Sequence, residues 1–152
     1  MNFMRDVNKK LTICGAYCAM IDYLDKYYFT TYSDDLGSLL DGMVFLADGK
    51  TVDSAAWEDW LDSINKIKPS YGAYNSTDIV LTINEAYTVM INFLENYAYL
   101  TNSEETKKLI SEKMAFKDGQ PIDKENWDSW MISVEKILKQ DPLIFPLLVL
   151  TK

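Results

Sequence analysis

The sequence predicts an all-α fold: two tandem three-helix repeats packed as one pseudo-two-fold helical domain. Residues 11–69 align without a gap on residues 81–139 at a constant offset of 70, with 20 identities in 59 pairs. Self-similarity of this kind marks a duplicated supersecondary unit. Within each copy, apolar residues recur every three and four positions over stretches too long for strands. The gapless offset and the tryptophan content favour one shared core over two bodies joined by a tether.

The first helix is expected over about residues 12–31, where Ile13, Ala16, Tyr17, Met20, Ile21, Leu24 and Tyr27 form one apolar stripe. Its second copy uses Ile83, Ala86, Tyr87, Met90, Ile91, Leu94 and Tyr97. Thr82 followed by Glu85 has capping-box spacing, in which each residue satisfies a backbone donor of the other. Thr12 keeps the cap, but Gly15 cannot reciprocate. A shorter helix follows Ser33 and Ser103, with Asp34 and Asp35 or Glu104 and Glu105 in the first turn, where the helix dipole favours acids.

Asp48-Gly49 and Asp118-Gly119 mark tight turns. Asp53 and Asp123 are the next N-caps. The third helix carries Trp57, Trp60, Leu61, Ile64 and Ile67, matched by Trp127, Trp130, Met131, Val134 and Ile137. Each Trp can bury about 150–250 Å², and features shared by both copies most simply serve what both must do, so the four indoles read as core rather than ligand-stacking residues. The organisation is therefore a first repeat over 11–69, a linker over 70–80, a second repeat over 81–139 and an apolar tail over 140–152, expected to lie extended across a groove.

Composition bounds the function. The chain has 152 residues, 15 Lys plus Arg against 23 Asp plus Glu, a net charge of −8 and no His. Nucleic acid and anionic membrane surfaces are held by Lys and Arg, so neither is an expected partner, whereas a basic protein would be steered towards the chain. Without His, the commonest general base, metal ligand and activator of nucleophiles is missing. Cys14 and Cys18 are too few for a disulfide framework and for a zinc site, and read as small buried thiols of a cytoplasmic protein. The Asp-Gly turns lack the alternating oxygen ligands of a calcium loop. No cofactor, metal or catalytic residue is expected, and Glu58, Asp59 and Asp128 read as a solvated first turn.

Positions where the copies diverge are the better candidates for specific function. DDLGSLLDGM in the first copy stands against EETKKLISEK in the second, setting Gly37, Ser38, Asp41, Gly42 and Met43 against Lys107, Lys108, Ser111, Glu112 and Lys113. Gly37 inside a helix costs about 1 kcal/mol relative to Ala, so it is kept either for close approach of another backbone or for tight packing on its own neighbour. Residues 11–69 carry a net −6 and residues 81–139 a net −3. The expected partner-binding residues are therefore Asp34, Asp35, Asp41, Glu58, Asp59 and Asp62, chosen for charge density.

The segments EAY with MINFLENY, SDDLGSLL, and DGK followed by WEDWL resemble small bacterial immunity proteins of contact-dependent growth inhibition and related polymorphic toxin systems. The resemblance covers both copies, about 118 of 152 residues, here as a tandem duplication. It implies a cytosolic antidote that binds a cognate toxin domain and blocks its active site; the acidic charge points to a basic toxin domain, and the scarcity of catalytic residues to a non-enzymatic role. Two other readings stand beside it: a DNA mimic that inhibits a nucleic-acid enzyme, and a non-catalytic assembly module docking through its apolar tail. An enzyme using paired carboxylates, as glycosidases do, would need an acid of raised pKa in a cleft, which the sequence does not indicate.

Overall fold

The computed structural model describes residues 9–69, 80–118 and 120–140. It is a helical domain with small antiparallel strand pairs. In chain order the elements are β1 (Lys10–Thr12), α1 (Ile13–Thr31), α2 (Asp34–Met43), α3 (Ser54–Ile67), β2 (Val80–Thr82), α4 (Ile83–Thr101), α5 (Glu104–Leu109), a π turn (Ile110–Met114), β3 (Phe116–Lys117), β4 (Gln120–Pro121) and α6 (Lys124–Leu138). The apolar tail beyond Gln140, Gly119 and most of the expected linker lie outside the described residues; the linker's last position, Val80, is the first residue of β2.

The helix starts form where the side chains allow. Thr12 accepts from the Gly15 amide at 2.9 Å. Thr82 and Glu85 close a full capping box, with the Thr82 amide donating to Glu85 Oε1 at 2.9 Å and the Glu85 amide donating to Thr82 Oγ1 at 3.0 Å. Ser33, Asp53, Ser103 and Asp123 cap the remaining helices. Helices α1 and α4 both end on a left-handed residue, Tyr32 and Asn102, each at φ 54°. Asn tolerates that conformation more readily than Tyr.

The strands β1 and β2 pair antiparallel, Lys10 with Thr82, Leu11 with Leu81 and Thr12 with Val80, which puts the buried Leu11 and Leu81 opposite each other. Helix α1 packs along α6, and α3 along α4. Aromatic rings fill these seams. Trp60 is fully buried, donates Nε1 to the Ile13 carbonyl at 3.1 Å, and meets Tyr17 at 5.7 Å and Phe93 at 6.1 Å between centroids. Trp130, also fully buried, meets Tyr87 at 5.6 Å and Tyr23 at 6.1 Å. Trp57 and Trp127 are half-buried and stand edge-on to Tyr17 and Tyr87. All four indoles are thus packing residues.

Polar contacts between the halves are reciprocal. Ser33 Oγ donates to Glu105 Oε1 at 2.8 Å, and Ser103 Oγ donates to Asp35 Oδ2 at 2.6 Å. Along the α1–α6 seam, Asp22 accepts from Ser133 at 2.7 Å and from Lys136 at 2.9 Å, while Lys26 donates to the Ser129 carbonyl at 2.8 Å. Tyr23 donates its hydroxyl to Asn126 Oδ1, and Asn126 Nδ2 donates to Tyr87 Oη at 2.8 Å and to the Lys113 carbonyl at 2.9 Å.

One expectation is corrected. The offset between the halves is not constant at 70: the π turn inserts one residue, and the turn after it is one residue shorter. Met43 and Met114, 71 apart, are both fully buried, whereas Lys113, set against Met43 by the gapless alignment, is exposed. Phe45 packs on Tyr17 and Phe116 stacks on Tyr87, again 71 apart. Phe45 then bridges to Thr51 and Phe116 pairs with Pro121, which restores the offset of 70.

Candidate partner surface

The surface begins with a close contact. Gly37 lies under the ring of Tyr28, and a Cβ there would stand 2.9 Å from Tyr28 Cε1. Gly37 therefore serves packing of α2 on its own neighbour, α1. The second half makes the opposite choice at the corresponding positions, with the small residue Ala98 for Tyr28 and the large residue Lys107 for Gly37. Gly42 likewise permits the approach of Asp53, whose amide donates to the Gly42 carbonyl at 2.9 Å and whose Cβ would lie 3.0 Å from an added methyl.

These contacts leave an open groove of about 460 Å³ between α1 and α2, walled by Tyr28, Phe29 and Gly37 and carrying the carboxylates of Asp25, Asp34 and Asp41. Phe29 is 66% exposed and Tyr32 69% exposed, and both rings stand edge-on to Tyr28, at 5.6 and 6.1 Å. A smaller cavity of about 180 Å³ between α2, α3 and α4 is lined by Gly42, Asp53, Asp59, Phe93 and Tyr97. Ser38 lines both, so the two openings adjoin.

The six acids picked for charge density divide between these places. Asp34 and Asp41 are exposed at the groove. Glu58 and Asp62 are exposed on α3, and Asp59 is half-buried at the smaller cavity. Burial, then the charges of Asp62, Asp53 and Glu58, hold the Asp59 carboxyl above the usual carboxylate range. Asp35 differs from the others: its carboxylate is committed to Ser103, and its carbonyl accepts from Tyr97 at 2.7 Å.

Pairing separates the halves more sharply than net charge does. In the second half Glu85, Glu104, Asp123 and Asp128 each have a lysine within 4 Å. Among the described residues, Asp34, Asp41, Glu58, Asp59 and Asp62 form no ion pair. Asp25, Tyr28, Phe29 and Asp53 belong to this surface although charge density alone did not single them out. The Tyr28/Gly37 against Ala98/Lys107 exchange is the sequence signal that finds the aromatic wall.

Cys14 and Cys18 are free thiols on α1, Cys18 buried and Cys14 half-buried. The hydrogen bond between them, with burial, holds the Cys18 thiol above its ordinary value and keeps it protonated. Among the described residues no group of three or more Cys, Asp or Glu is placed to hold a metal ion, and no helix is long and apolar enough to cross a membrane. Compared with family models, curated proteins and solved structures, the chain matches none.

Proposed function

We propose that the chain is a non-enzymatic immunity protein that binds a cognate, basic toxin domain in the cytoplasm and occludes it through the acidic surface of the first half. The observation that carries this reading is the run of carboxylates without ion pairs on α2 and α3, beside exposed aromatic rings, in a chain whose other half pairs Glu104, Asp123 and Asp128 with lysines of its own. Aromatic anchors inside a charged rim suit a protein interface, and the complementary field would mainly raise the association rate and select the partner.

We also read the domain as a tandem duplication with a pseudo-two-fold axis. In support, β1 and β2 pair symmetrically about Leu11 and Leu81, α1–α6 packing has its counterpart in α3–α4, and the Ser33–Glu105 and Ser103–Asp35 bonds exchange roles. On this reading the duplicated scaffold supplies stability, and the first copy, with four lysines against seven, leaves more of its acids for a partner.

Growth protection tests the function. The polypeptide encoded beside this chain is expressed in a sensitive host with and without it. Protection together with co-purification of the two chains is expected. Absence of both, or inhibition of several unrelated DNA-binding proteins in competition with duplex DNA, overturns the immunity reading; the second result would establish the DNA mimic.

A further inference from the structure

We infer that the groove between α1 and α2 is a socket for one basic side chain of a protein partner, an arginine by preference. That the partner is a protein rests on the function proposed above; the chemistry of the socket rests on the groove. In the second half, Lys107 bonds Asn102 Oδ1 at 2.9 Å and Glu104 Oε2 at 3.4 Å. The corresponding first-half positions hold Gly37, Tyr32 and Asp34. The first half thus has the acid without the cation, and a groove of about 460 Å³ opens beside Gly37. A cation supplied from outside would complete the pair that Lys107 completes from within.

The walls favour a guanidinium. Tyr28 and Phe29 line the groove, and a planar cation gains from stacking on such rings. Asp34 and Asp41 offer acceptors around it, and among the described residues no Lys or Arg lines the groove. Guanidinium is also less strongly hydrated than ammonium, so it gives up less on entering a half-open groove.

The test is a nuclear magnetic resonance titration of the full chain with N-acetyl-arginine amide, against N-acetyl-citrulline amide, which keeps the shape without the charge. Saturable shifts are expected at residues 25–41 and not at residues 95–111, with the citrulline compound at least about fivefold weaker. Asp34→Asn, an exposed change, should weaken the arginine compound about two- to fivefold. The double variant Tyr28→Ala with Gly37→Lys installs the pair found at Ala98 and Lys107 and should abolish the response. Equal shifts in both halves, equal response to citrulline amide, or no saturation overturns the socket. Growth protection without arginine binding overturns the socket alone; arginine binding without protection overturns the immunity reading alone.

Discussion

At Gly37 two residue-scale effects oppose each other. A methyl there would recover about 1 kcal/mol of helix propensity, but it would also displace the Tyr28 ring from a 2.9 Å contact. Gly37→Ala should therefore gain much less than that in the natural chain, and the full amount, about 1 kcal/mol, once Tyr28→Ala removes the ring. Denaturant unfolding of the four chains of the double-mutant cycle checks the coupling. Tyr23 and Asn126 make a second pair, replaced at the corresponding positions by Phe93 and Ala56. Tyr23→Phe alone leaves Asn126 Oδ1 without its donor and should cost about 1–3 kcal/mol. Adding Asn126→Ala should return part of that, because in the first half Tyr17 donates directly to the Met43 carbonyl at 3.0 Å with no amide between. Unfolding free energies of single and double variants settle the sign.

At the scale of elements, α3 concentrates the repulsion. The Asp59 carboxyl titrates above its unfolded value because of burial and three neighbouring acids. The folded state therefore binds the proton more tightly, and this group's contribution to stability falls as pH rises through the carboxylate range. Asp59→Asn should raise the thermal midpoint at pH 7, by less at pH 4, and weaken partner capture; calorimetry at the two pH values reads the difference. The helices themselves were legible in the sequence: the i, i+3, i+4 stripes, the Ser, Thr and Asp caps and the interior indoles are local chemistry. The π turn was not, because a one-residue insertion and a one-residue deletion cancel within a few positions. Its trace is the pair Met43-Val44-Phe45 and Met114-Ala115-Phe116 at a separation of 71. Strands β1 and β2, three residues each, are too short to show an alternation. Asp35 looked like its acidic neighbours because its partner, Ser103, is distant in sequence.

At the scale of the whole molecule, the α1–α6 seam joins the halves through ionisable groups. Burial opposes ionisation of Asp22, but hydrogen bonds from Lys136 and Ser133 and the charges of Lys136 and Lys26 hold its carboxyl below the ordinary value of 3.8. That contribution is full above about pH 4 and is lost as pH falls through the lowered value. Asp22→Asn should flatten the acid limb of the unfolding curve while leaving its shape near neutrality unchanged, as followed by far-ultraviolet circular dichroism.

Asp34 and Asp41 on α2 and Glu58, Asp59 and Asp62 on α3 form no ion pair among the described residues, and on this asymmetry the functional account stands. Its most direct test is the association rate of the full chain with the polypeptide encoded beside it, the proposed partner, measured by stopped flow at low and high salt. Reversing Asp34 and Asp41 to Lys should slow association at least about tenfold at low salt, while reversing Glu104 and Glu125 in the other half should change it less than about twofold. Equal slowing by both pairs, or a rate indifferent to salt and to all four charges, would contradict it.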